Sequence, residues 1–171
     1  METKEAINKR VSVRHFLDKQ ITENELQTLL KAGSKAPIGM SKYQEMHITV
    51  IQDKNFLNEL NKAAEGYFKQ KGKRLFHGAP TGIIVSGKKT NYYGMEYDNG
   101  ACILENIHLM ATDLGLGAVY LKGVVAFFSD NPEYLKRLNI PKDFTILAGI
   151  AIGYPDKEYP PKDHNIEYNI I

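Results

Sequence analysis

The stretch from Asp98 to Leu114 constrains the fold of this chain more than any other. Read as a helix, it carries apolar side chains around most of its circumference: Ala101, Ile103, Leu104, Ile107, Leu109, Met110 and Ala111. A helix wetted along one side keeps its apolar residues in a stripe. This pattern therefore places the segment in the middle of the fold or against a second subunit. Leu114-Gly115-Leu116-Gly117 closes it, because glycine tolerates the left-handed backbone of a helix C-terminus.

The elements around it mix helices with strands. Thr3 to Asn8 reads as a short helix. Thr22-Glu23-Asn24-Glu25 is a capping box followed by Leu26, Leu29 and Leu30 at helical spacing, and that helix ends near Gly33, ahead of Pro37. Met46 to Ile51 alternates around Ile48 and Val50 as a strand does. Asp53 caps a helix whose buried stripe is Phe56, Leu57, Leu60, Ala63 and Ala64. Gly82 to Ser86 is a short buried strand, Asp130-Asn131-Pro132 opens a further helix with proline at a tolerated position, and Phe144 to Ile152 is a nearly all-apolar central strand. Strict β-α-β alternation is absent, so the class is α+β with helices over both faces of a sheet. No repeat, low-complexity tract or linker divides residues 1–171, which read as a single domain. Beyond Asp156 the chain turns polar and proline-broken, then ends in Ile166, Tyr168, Ile170 and Ile171. That alternating end predicts an edge strand, paired on its own subunit or on a partner.

Charge and cysteine content exclude several classes. A formal net charge of +2 is too mild to argue for nucleic acid. The densest basic run, Lys69 to Arg74, reads as a solvated loop, with a place near the mouth of a nucleotide site as the alternative. The single Cys102 excludes an intramolecular disulfide and suits a reducing, cytoplasmic setting. Charge from Glu2 onward argues against a signal peptide, and no apolar run reaches membrane-spanning length. The five histidines show no paired ligand spacing, so no metal site is expected. Gly82 to Lys89 approaches a phosphate-binding P-loop but has Lys89 where Ser or Thr should stand, and Gly115-x-Gly117 closes a helix instead of opening one.

One segment invites a ligand. Arg10, Ser12 and Arg14 stand around Val11 and Val13 in Asn8 to Phe16. Two guanidinium forks flanking a hydroxyl suit a phosphorylated ligand, because bidentate Arg–phosphate pairing is strong and directional. Alone, the motif also fits two arginines pointing at water. Ala36-Pro37-Ile38-Gly39-Met40-Ser41 is a second candidate, a stiff turn whose small residues let backbone approach a flat ring.

Arg10 to Arg14, Ala36 to Ser41, Gly78-Ala79-Pro80, the long helix ending at Gly117, and Ile152-Gly153-Tyr154-Pro155 occur in an order that resembles the nitroreductase family. The resemblance implies a three-layer α/β/α sandwich with a mostly antiparallel central sheet. It further implies FMN bound at the interface of a homodimer, reduced by NADH or NADPH. Arg10, Val11, Ser12 and Arg14 would meet the phosphate, ribityl chain and pyrimidine edge. Pro37, Ile38, Gly39 and Ser41 would approach the FMN of the opposite subunit. Here Ile38 and Ser41 replace the family's usual serine and asparagine, so the contact is carried at backbone level. Leu121, Lys122 and Gly123 match the position that sets backbone N–H groups against the reactive flavin nitrogen. Lys162 or His164 would complete the phosphate site, and Glu105 would stand one layer back from the cofactor or at the dimer contact. Residues 156–171 become a C-terminal extension packing on the partner subunit.

The expected activity is an FMN-dependent oxidoreductase passing electrons from NAD(P)H to an electron-poor acceptor, such as a nitroaromatic or a quinone, in ping-pong order. No side chain need act as nucleophile or general acid. The alternative is a flavin-binding redox sensor or cofactor carrier without turnover.

Overall fold

The computed structural model describes residues 1–171. Its strands are β1 (Met46–Ile51), β2 (Thr81–Lys88), β3 (Gly117–Leu121) and β4 (Phe144–Gly153). They form one sheet in the order β1–β2–β4–β3, with every neighbouring pair antiparallel. The helices are α1 (Thr3–Lys9), α2 (Glu23–Ser34), α3 (Lys54–Tyr67), α4 (Met95–Asp113), α5 (Gly123–Asp130) and α6 (Pro132–Arg137). Strand periodicity sorts the two faces. Ile83, Val85, Ile150 and Ile152 join Leu26 and Leu29 of α2 and Ile103, Leu104 and Ile107 of α4 in one core. Ile84 and Ala151 point the other way and join Phe56 and Leu60 of α3 with Phe127 and Phe128 of α5 in a second. The chain is thus an α/β/α sandwich, and no helix is long and apolar enough to cross a membrane.

One irregularity alters that alternation. The β2–β4 register shifts between Val85 and Ser86, where Val85 pairs with Ala148 and Ser86 with Ile146, leaving Leu147 without an opposite residue. Leu147 therefore faces the first core beside Ala148, and Ile146 turns to the second, as a bulge requires.

Several local signals act as the sequence predicts. Thr22 Oγ1 accepts from Glu25 N at 3.2 Å, and Thr22 N donates to Glu25 Oε2 at 2.7 Å, closing the capping box. Tyr154 donates its hydroxyl proton to the same Glu25 carboxylate at 2.9 Å, tying the start of α2 to the end of β4. Asp53 accepts from Phe56 N at 2.6 Å and starts α3. At the end of α4, Gly115 has φ +72, while Leu116 N donates to Ala111 O at 2.8 Å and Gly115 N to Thr112 O at 3.1 Å. These are the two bonds of a Schellman stop. Within one chain α4 does not bury all of its circumference: Ala101 and Glu105 are exposed, and Cys102, Leu109 and Met110 are half-buried.

One feature departs from the sequence reading and another narrows it. Helix α5 was not expected, because Gly-Val-Val-Ala-Phe-Phe has no helical stripe. Packing decides it: Phe127 meets Tyr67 and Phe128 edge-on at 5.6 and 5.3 Å and stacks on Tyr134 at 5.9 Å. The apolar tail does not pair as an edge strand on its own chain, and Ile166, Tyr168, Ile170 and Ile171 are exposed. Ser12 bridges to Ala118 and Val13 N donates to Ala118 O at 2.9 Å, so residues 12–13 cover the free side of β3.

Candidate functional site

The extended segment after α1 fixes the first half of the site. Val13 is buried against Gly117, where a Cβ would stand 2.7 Å from Val13 Cγ1; only glycine allows β3 this approach. With Val13 inward, the period of an extended chain turns Ser12 and Arg14 outward. The second half comes from the other end of the sequence. Leu17 N donates to Tyr154 O at 2.9 Å, Phe16 bridges to Pro155, and Asp156 N donates to His15 O at 3.3 Å. This seam lays residues 157–164 beside residues 10–15.

Between the two lies a cleft of about 490 Å³ lined by Arg10, Val11, Ser12, Arg14, Lys162 and His164, six of the sequence candidates. His15, Lys157, Tyr159 and Pro160 line it as well and were not anticipated. The signal was present for two of them, since His15 adjoins Arg14 and Lys157 repeats the cationic character of Lys162 in the same tail. No carboxylate lines the cleft. Four permanent cations facing one space form the donor set that phosphate chemistry requires.

Glu105 and His108 of α4 stand behind this wall. Arg10 Nε lies 3.6 Å from Glu105 Oε1, which occupies the inner edge of the guanidinium and leaves its terminal nitrogens for an anion. Burial raises the Glu105 pKa, and the Arg10 charge opposes that rise. His108 is buried, with Nε2 3.3 Å from Val11 O. A carbonyl only accepts, so the ring carries its proton on Nε2. Burial pushes the His108 pKa down to about 4, helped by Arg10 and opposed by the carbonyls of Val11 and Ala118. The ring is neutral at pH 7 and anchors the Arg10–Arg14 segment to α4.

The other candidates gather elsewhere, at the N-terminal end of α4. Gly39 N donates to Asn99 Oδ1 at 2.9 Å, and a Cβ on Gly39 would collide with Met95 Sδ at 2.3 Å. The Ile38 side chain belongs to the first core, while Pro37 and Ser41 are exposed. Ser41 has φ +55, in the left-handed region. Lys122 Nζ donates to Leu147 O at 2.7 Å, using the carbonyl of the bulge residue, and sits 4.4 Å from the Tyr97 ring centroid. Leu121 ends β3, and Lys122 caps α5 at Gly123, so the first N–H groups of that helix have no intrahelical acceptor. The buried Glu96 carboxylate secures the neighbouring loop by accepting from Thr90 Oγ1 at 2.7 Å, a bond that holds its pKa below the usual range. Pro37, Ile38, Gly39, Ser41, Leu121, Lys122 and Gly123 do not line the Arg10 cleft of their own chain.

Comparison with known proteins follows the same lines. The model of the nitroreductase family matches residues 7–154. An Archaeoglobus fulgidus protein with the provisional name NADH dehydrogenase/NAD(P)H nitroreductase is 30% identical over 152 residues, covering 87% of this chain and 83% of its own. The crystal structure of an FMN-bound nitroreductase from Bacteroides fragilis superposes with a TM-score of 0.85 at 28% identity, covering 100% of this chain and 97% of that one. An FMN-bound nitroreductase from Desulfitobacterium hafniense gives 0.87 at 25% identity, over 99% and 100% of the two chains.

Proposed function

This chain belongs to the nitroreductase family, and from that premise we propose that it binds FMN in the Arg10 cleft, takes electrons from NAD(P)H and passes them to an electron-poor acceptor such as a nitroaromatic or a quinone. One observation carries the reading: Arg10, Ser12 and Arg14 meet Lys162 and His164, from the opposite end of the chain, around one cleft free of carboxylates. That donor set fits the FMN phosphate. FMN, when bound, supplies the two-electron chemistry. The protein binds and orients. Arg10 and Lys162 grip the phosphate with Ser12 donating between them, and His164 stands beside them. Arg14 sets a cation toward the pyrimidine edge, where negative charge builds on reduction. Backbone N–H groups at Lys122 and Gly123, at the positive end of α5, serve the reactive edge of the ring.

The working form is a homodimer. Pro37, Gly39 and Ser41 lie outside their own chain's cleft, and a second copy brings them to it. The uncovered apolar flank of α4 and the exposed residues Met40, Tyr43, Ile166, Tyr168 and Ile170 supply the surface.

The test is direct. The purified protein is expected to be yellow, to release FMN on denaturation, and to oxidise NAD(P)H when a quinone or nitroaromatic is added. Protein that is colourless and takes up no added FMN overturns the reading. FMN binding with no turnover supports the carrier instead.

A further inference from the structure

A second cleft, of about 800 Å³, lies between the polar side of α3 and residues 16–20 and 74–80. Lys54, Asn58 and Asn61 share that side of the helix at helical spacing. The facing wall is rigid. Gln20 Nε2 donates to Pro80 O at 2.9 Å and its Oε1 accepts from Thr81 Oγ1 at 2.6 Å, while Gln52 Nε2 donates to Thr81 Oγ1 at 3.0 Å. Asp18 is the only acidic residue lining the groove, and Lys54 occupies it at 3.0 Å. Arg74 is exposed, lines the groove and has no carboxylate within ion-pair reach. It lies so close over Gly78 that a Cβ there would stand 2.6 Å from Arg74 Nη1.

This groove adjoins the first cleft. Arg14 and His15 line one, and Phe16, the next residue, lines the other. His77 stands at the join, where burial first, then the charges of Lys73, Arg14 and His15, hold its pKa below the ordinary histidine value. The join is therefore a place of uncompensated positive charge, supplied by Arg14, Lys73 and Arg74, next to a wall of side-chain amides.

We propose that this groove seats the adenosine half of the nicotinamide donor, and that Arg74 selects NADPH by its 2′-phosphate. The inference rests on the reading of the first cleft as the FMN site. The two dinucleotides differ only in one phosphomonoester, and a guanidinium without a carboxylate partner is the group that recognises it in bidentate fashion. The Asn58 amide and the Asn61 Nδ2, whose Oδ1 accepts from Leu75 N at 3.1 Å, suit the hydrogen-bonding edge of adenine and the ribose hydroxyls.

The experiment separates the two readings. FMN binding is titrated first, and its absence overturns both. Calorimetry on the FMN-loaded protein then compares 2′-phospho-ADP-ribose with ADP-ribose, both lacking the nicotinamide. The phosphorylated ligand is expected to bind about tenfold tighter or more, the ratio that one charge-assisted contact gives. Arg74→Ala is expected to bring the two affinities together, and Arg74→Lys to restore part of the difference. Circular dichroism and FMN retention confirm that each variant is folded. Inorganic phosphate at matched concentration distinguishes recognition of the nucleotide from general anion binding; if it displaces both ligands equally well, the inference fails. It fails also if FMN binds but the two ligands bind alike, or if Arg74→Ala keeps the difference.

Discussion

The Arg10 cleft and the patch at the start of α4 hold their polar groups by opposite means. In the cleft the groups are long cationic side chains on extended backbone, mostly exposed, with only Glu105 tying Arg10 from behind. At the α4 patch buried groups hold the loops: the Asn99 side chain grips the Gly39 backbone, the Glu96 carboxylate grips Thr90, and the Leu147 carbonyl accepts from the Lys122 amine. A phosphate is met by charge, which tolerates some movement. A flat ring is met at contact distance, which tolerates none. Binding energy should therefore concentrate in the cleft and folding energy in the patch.

The largest expected effect lies at the foot of the cleft. The unfolded chain protonates His108 near 6.5 and the folded chain only near 4. Between those values the unfolded state binds more protons, so stability falls as pH is lowered from 6.5 to 4, by up to about 3 kcal/mol, and levels off below. Thermal melts across that range should show the stability gap between wild type and His108→Gln shrinking as pH falls. A constant gap would mean that the ring titrates normally and is not the buried anchor described.

Next comes Arg10→Ala, expected to weaken FMN binding by about 1.5–3 kcal/mol while leaving the flavin-free melting temperature nearly unchanged. Asn99→Ala should do the reverse, costing about 1–3 kcal/mol of stability by orphaning the Gly39 N–H, with a smaller effect on the phosphate grip. If Asn99→Ala weakened FMN binding more than Arg10→Ala, the division between the two regions would not hold. Arg14→Ala sharpens it within the cleft: the reduction potential of bound FMN should fall, and Arg14→Lys should recover most of the shift. Smallest is Thr22→Ala, far from both regions, which should cost about 1 kcal/mol of stability and leave FMN affinity as it was.

Elements governed by local chemistry were legible in the sequence. The capping box at Thr22, the Asp53 cap, the Gly115 stop and the full extent of β1 follow from side-chain-to-backbone bonds or from period, and the structure reproduces them. What escaped depends on contacts distant in sequence. Helix α5 forms because Phe127 has Tyr67 and Tyr134 to pack on, and the Leu147 bulge because two faces of one strand serve different cores. Half of the cleft was legible from Arg10, Ser12 and Arg14, while Tyr159 and Pro160 join it only through the seam between residues 15–17 and 154–156. The sequence reading carried over only the backbone of Lys122, yet its amine is tied to the sheet.

That seam has a consequence for how the protein is made. The two banks of the cleft are synthesised at widely separated times, so a nascent chain that has already buried its first core still has no place for the cofactor. On the reading that this cleft takes FMN, flavin capture becomes a late event that reports on both ends at once. Once in place, the ligand works as a clasp: fraying at either end must first release it, and each increase in free FMN above its Kd adds RT ln(1 + [FMN]/Kd) to the work of opening. A cell short of flavin would then feel the deficit in the lifetime of this protein as well as in its turnover.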